Sequence, residues 1–328
     1  MKHMFNDMNT EQHDFDSFTT EKPILRSSRL SYFGQLAILI GFAGVGIVIS
    51  SVLAVIIWML MTHQSFTTMA TDILLPAYAN AAKLIQLVMS FCMFFLPAYF
   101  LALLISRKPL QYMQYNLQLN KRQVYLVIAM VFAGLFLSGA LTQLNQIIPI
   151  PKKWETSFKA MEKAYTEGVK GMASMKNIGD YLYTLLVIAI APAIFEETFF
   201  RGGLQNILVK WTKNAAVGII ITSIIFSAAH SSYYGFLPRF GLGIILGYIY
   251  YYGKNIWLNI LLHFLNNGFA VTMLYFATKN GQLKDDALDD TTFPWYIGIV
   301  AVIVLVLLFR YFKQVTPTQD DKLNVYER

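Results

Sequence analysis

Cysteine is almost absent: Cys92 is the single one in 328 residues, and it lies inside an apolar run. An internal disulfide and a thiolate metal cluster are thereby excluded. Charge is scarce too. Asp, Glu, Lys and Arg make up 14% of the chain against 56% hydrophobic residues, a balance that soluble domains rarely reach. No internal repeat and no separate soluble domain can be traced. The His-Glu-x-x-His helix of ordinary zinc proteases is missing, and with it their usual ligand pattern. A cleaved signal peptide is also excluded as an expectation, because the first apolar run starts only after about 34 residues and is too long for one.

What the chain does have is apolar length. Runs able to cross roughly 30 Å of hydrocarbon occur at 35–61, 84–106, 124–149, 215–229, 255–278 and 291–309. Two further spans, about 181–208 and 234–253, are interrupted by Glu196, Glu197 and Arg201 in the first and by Arg239 in the second. The expected fold is an all-α, polytopic transmembrane bundle of about eight spans, integral to the membrane and multi-pass. The net charge of +7 does not point to nucleic acid, since the basic residues are scattered at helix ends as anchors and topology signals. The partners expected are the lipid bilayer and a peptide or membrane-protein substrate.

With the N-terminus inside, the short inner segments hold Arg107, Lys108, Lys121, Arg122, Lys210, Lys213 and Lys254, whereas 62–80 holds no Lys or Arg. Both termini are then cytoplasmic. The division expected is a polar tail over 1–34, three spans over 35–149, an amphipathic loop over 150–180, a helical core over 181–279, a loop with the last span over 280–313, and a polar tail over 314–328. In the amphipathic loop Trp154, Phe158, Met161, Tyr165, Val169 and Met172 recur at helical spacing, which suits a helix at the membrane interface or one packed on the bundle. Gly243-x-x-x-Gly247 marks a close helix contact.

Three polar motifs interrupt the apolar stretches: Glu196-Glu197-x-x-x-Arg201, Phe226-x-x-x-His230 and His263-x-x-x-Asn267. Ionisable groups at membrane depth are expensive to hold and mark functional sites. On a helix Glu197 and Arg201 share a face as an ion pair while Glu196 is turned away, leaving one carboxylate free to act as a base. The alternative is that both glutamates bind Arg201 and only tie helices together. Phe226 and His230 lie one turn apart, and Asn259, His263 and Asn267 form a polar stripe. Glu196 and His230 are equally far from the turn at Lys213, about 25 Å at 1.5 Å per residue, so across a hairpin they sit at one depth.

These motifs, in this order and separation, resemble the CAAX prenyl endopeptidase and bacteriocin-processing family of intramembrane proteases, also called the Abi family. The resemblance covers about a third of the chain, roughly Tyr181 to Phe276. It implies peptide-bond hydrolysis inside a helical bundle, with Glu196 as general base, His230 assisting, His263 and Asn267 stabilising the oxyanion, and Glu197 and Arg201 in support. A zinc version, with Glu196, His230 and His263 as ligands and water in the fourth position, competes; the metal-free version is preferred. A catalytically silent scaffold or immunity protein of the same fold, and a proton-coupled transporter with its helix broken at Pro192, are the readings from other classes.

Overall fold

The structure is a computed structural model and describes residues 30–172, 175–280 and 292–316. Residues 281–291 of the expected loop and nearly all of the two polar tails lie outside them. The described residues contain nine long helices and no strand: α1 Tyr32–Thr62, α2 Pro76–Ile105, α3 Lys121–Ile147, α4 Glu155–Met172, α5 Ile178–Thr212, α6 Ala215–Ala228, α7 Phe236–Gly253, α8 Ile256–Lys279 and α9 Trp295–Val315. All eight apolar segments are helical, and α4 is the amphipathic helix.

Local sequence explains where these helices start and stop. The α5–α6 and α7–α8 hairpins each turn on a Lys-Asn pair. Lys213 and Lys254 adopt positive φ of 52° and 49° and close α5 and α7. The asparagine that follows caps the next helix, Asn214 Oδ1 accepting from the Val217 N–H and Asn255 Oδ1 from the Trp257 N–H.

Six of the helices, α1, α2, α3, α5, α8 and α9, are long and apolar enough to cross a membrane. The remaining two expected spans fall short of that description. Helix α7 has 18 residues, and α6 has only 14, about 21 Å at 1.5 Å per residue. Helix α6 nearly fills the expected run over 215–229 and ends just before His230. The chain then makes a loop over 229–235 before α7 returns.

Two of the apolar cores among the described residues are the largest. One joins α3, α7, α8 and α9 through Val127, Met130, Leu246, Leu262 and Phe312, and the other joins α1, α2, α5 and α6 through Leu39, Leu101, Phe200, Ile207 and Phe226. On α1 and α9 residues such as Val48, Leu60, Val300 and Leu307 remain exposed, the apolar faces that a bilayer would cover. The glycine pair does mark a close contact, between α7 and α6. A methyl group on Gly243 would sit 2.9 Å from Ser223 Cβ, and one on Gly247 2.5 Å from Ile219 Cγ2. The bare backbone there also accepts side-chain bonds from α5, Arg201 Nη2 donating to the Gly243 carbonyl and Gln205 Nε2 to that of Gly247.

Candidate functional site

Helix α5 supplies the two glutamates at its midpoint. It runs without a break through Pro192, contrary to the broken helix of the transporter reading, with wide i to i+5 turns over Leu186–Ile190 and Thr198–Gln205. Such turns recur at functional sites because they displace side chains from regular α positions. Pro192 has no N–H for the carbonyl four residues back, that of Ile188, and Asn267 Nδ2 from α8 donates to that carbonyl at 3.3 Å.

The two carboxylates have opposite environments. Glu197 is fully buried and engaged from three sides: Arg201 Nε lies 3.2 Å from Oε2, His263 Nδ1 2.9 Å from Oε1, and Asn259 Nδ2 donates to Oε2 at 3.4 Å. The Arg201 Nε–H does not point at the carboxylate well enough to count as hydrogen-bonded, so that pair is held by charge and proximity. Glu196 makes neither the arginine contact nor any hydrogen bond through Oε2, although that oxygen is buried. Only Glu197 pairs with Arg201, which answers the alternative in which both do.

Glu196 Oε2 instead faces two imidazoles, with His230 Nε2 at 3.9 Å and His263 Nε2 at 4.0 Å. Both contacts exceed hydrogen-bonding distance. His263 is 2% exposed and the Glu196 side chain 11%, whereas that of His230 is 26% exposed, so the cluster opens past His230. His230 is not on the helix as expected from its spacing. It lies in the turn after α6, and its Nδ1 sits 2.8 Å from the Phe226 carbonyl. The chain reverses because Ser231 takes a positive φ of 53°.

A carbonyl and an ionised carboxylate only accept, so the Nδ1 of each histidine carries the proton. In the neutral rings both Nε2 atoms then present lone pairs toward Glu196. Phe226 completes the wall. Its ring lies edge-on to His230 and His263, with centroids 5.0 and 6.0 Å away, and the Arg201 guanidinium is 4.9 Å above it. Asn267 lies one turn beyond His263, with its amide engaged by Ile188 and Asn266 rather than by Glu196 or either histidine.

The side chains of Glu196, His230 and His263 are spaced more widely than a zinc site requires. Ligands about 2.0–2.2 Å from a tetrahedral zinc stand roughly 3.3–3.5 Å apart, whereas Glu196 is 3.9 and 4.0 Å from the two histidine nitrogens. Among the described residues no three His, Cys, Asp or Glu side chains are gathered closely enough to hold an ion. The donor set as arranged does not fit the metal.

The loop over 229–235 is fastened by α4, a link that no sequence motif marks. Glu162 accepts from Ser232 Oγ at 3.0 Å and from the Tyr234 N–H at 3.3 Å, and Phe158 packs on Tyr233 with ring centroids 5.2 Å apart. Of the two settings open to α4, packing on the bundle is seen at these residues, while Trp154 and Met161 stay exposed. Helical spacing made α4 visible in the sequence, but the partners of a single Glu carry no periodic signal.

Comparison with known proteins bears on the same segment. An uncharacterized 24.3 kDa protein of Escherichia coli is 31% identical over 142 residues, 42% of this chain and 56% of the relative. The membrane-embedded CAAX protease MroQ of Staphylococcus aureus is 31% identical over 121 residues, 35% of this chain and 47% of that protein. The chain thus spans about half the length of these curated relatives. No solved structure matches it significantly. Residues 178–269, which carry Glu196, Glu197, Arg201, Phe226, His230, His263 and Asn267, match the family model of the type II CAAX prenyl endopeptidase Rce1-like proteins, the family that the three motifs resemble.

Proposed function

We propose that the protein is an intramembrane endopeptidase in which Glu196 activates water. The observation that carries this reading is the Glu196 Oε2 atom, buried, without a hydrogen-bond partner, and 3.9 and 4.0 Å from two histidine nitrogens. Two facing acceptors at that separation suit one water that donates to both. The water oxygen attacks the scissile carbonyl carbon and Glu196 takes its proton. That proton passes to the leaving nitrogen as the C–N bond breaks, giving a carboxylate and an amine.

His230 orients the water. His263 is held by Glu197 through Nδ1 and turns its Nε2 toward the water site; a proton carried on that nitrogen is donated to the developing oxyanion. Asn267 adds a second donor once the substrate carbonyl competes with that of Ile188. Glu197 and Arg201 hold His263 rather than react. In the orientation read from Lys and Arg, α4 and the 229–235 loop face outward, and substrate arrives past His230. A substrate peptide bond must leave its helix before attack, because helical carbonyls at membrane depth are already satisfied. The similarity to MroQ over the matched region supports a peptide or membrane-protein substrate.

The test is cleavage by the full chain in proteoliposomes, read by mass spectrometry on a peptide library. Glu196→Ala and His230→Ala should each lower the rate by at least about a hundredfold while the protein stays folded. A rate equal to the parent's would overturn the assignment, and a cellular phenotype surviving Glu196→Ala would favour the scaffold.

A further inference from the structure

Arg239 interrupts α7 with a charge, and neither the three motifs nor the reaction above uses it. Its guanidinium lies against the loop that follows His230. A methyl group built on Gly235 would collide with Nη1, and would stand 2.6 Å from Arg239 Cζ and 2.8 Å from Ser232 Oγ. Glycine at 235 therefore leaves a cradle that the guanidinium fills. The backbone there is ordinary, with φ −85° and ψ 1°, so space and not conformation is what the missing side chain provides.

On the other side the ring of Tyr165 lies 4.7 Å from the guanidinium carbon, a cation–π contact that favours this placement. The guanidinium is also close enough to His230 to act on its charge. Yet Arg239 has no acidic partner among the described residues, and its Nη1 is buried without a hydrogen bond. Glu162, on the α4 turn preceding Tyr165, is engaged by Ser232 and Tyr234 instead.

A guanidinium set between Gly235 and the Tyr165 ring, with Nη1 unmet and next to the loop that carries His230, is suited to a planar anion with two oxygens. Arginine pairs with carboxylates in this bidentate way. We propose that Arg239 binds a carboxylate of the substrate peptide and thereby selects which bond is brought to Glu196. The inference rests on the peptidase reading, and it adds a recognition residue contributed from outside the three motifs. The carboxylate is either the peptide's own C-terminus or an acidic side chain near the cleaved bond.

Binding can be measured without cleavage. Full-length Glu196→Ala protein in detergent is offered a defined library of N-acetylated decapeptides in three forms: free acid, C-terminal amide, and C-terminal amide carrying one internal Glu. Retained peptides are quantified by mass spectrometry. One carboxylate-bearing form should be retained at least about tenfold over the plain amide. Preference for the free acid identifies the C-terminus, and preference for the internal Glu identifies a side chain.

Adding Arg239→Gln should reduce that preference to less than about twofold, whereas Arg239→Lys keeps the charge and part of the preference. Gly235→Ala, which puts a methyl group where the guanidinium lies, should weaken it too and serves if Arg239→Gln misfolds. Equal retention of the three forms, or a preference that survives both Arg239→Gln and Gly235→Ala, overturns the proposal. Cleavage of the library by the parent chain is scored separately, so a failed peptidase reading and a failed carboxylate site give different results.

Discussion

His263 Nδ1 and Glu197 Oε1 are 2.9 Å apart with both side chains buried, and through this contact the second glutamate of the motif sets the direction of the histidine that faces the first. In the reaction proposed above, one carboxylate positions and the other reacts. The division arises from packing: Glu197 lies among Arg201, Asn259 and His263, while Glu196 Oε2 points into the gap between two rings.

Removing Glu197 should therefore cost stability as well as activity. Glu197→Ala leaves the Arg201 guanidinium, itself fully buried, without its counter-charge, and breaking such a pair costs about 3–5 kcal/mol. Thermal unfolding of the detergent-solubilised protein should show a clear drop. Glu196→Ala, which removes no hydrogen bond at Oε2, should unfold near the parent. Equal losses for the two variants would contradict the division of roles.

Glu162 is expected to steady the loop that carries His230. Glu162→Ala deprives Ser232 Oγ and the Tyr234 N–H of their acceptor, a loss of about 1–2 kcal/mol that falls on one loop. Hydrogen–deuterium exchange over 230–235 should rise while α5 and α8 stay protected. Glu162→Gln, which keeps an acceptor oxygen, should recover part of the protection. An unchanged exchange pattern in Glu162→Ala would show that α4 does not hold this loop.

Chelation separates the two chemistries that the sequence leaves open. With Glu196 wider from both histidines than a zinc site allows, EDTA or 1,10-phenanthroline should leave the cleavage rate within about twofold of the untreated enzyme. Loss of activity that added Zn²⁺ restores would place Glu196, His230 and His263 around the metal instead.

Lys83 offers a test unrelated to the reaction. Its amine is buried in α2 without a hydrogen bond, 5.7 Å from the centre of the Tyr183 ring. A buried ammonium without a hydrogen bond is unfavourable, and an apolar chain of similar length should be better tolerated. Lys83→Met is expected to raise the unfolding temperature, by about 1–3 kcal/mol in stability. A lower temperature would mean that the amine has a favourable role.

Much of the architecture was legible because membrane depth imposes a simple code. A span needs apolar length, and the eight helical segments are visible as such in the sequence. The ion pair of Glu197 with Arg201 was also legible, since i and i+4 fix neighbours on a helix whatever surrounds it. Less legible was the end of α6. Residues 226–230 read as one helical turn, but the turn at Ala229 and the positive φ of Ser231 remove His230 from the helix and leave it at the end of a loop. Asn267 reads as a donor facing the site. Its attachment to the Ile188 carbonyl depends on Pro192, 75 residues away on another helix, which sequence spacing does not reveal.

By itself, then, the sequence determined the all-helical membrane fold, the three polar motifs, and that Glu197 and Arg201 share a helical face, because hydrophobic length and helical periodicity are local properties. Only the tertiary structure decided that Glu196, His230 and His263 meet around one unpartnered oxygen. It alone brought Glu162 to the His230 loop and Arg239 between Gly235 and Tyr165, since such contacts depend on how helices far apart in the chain cross and where their loops stop.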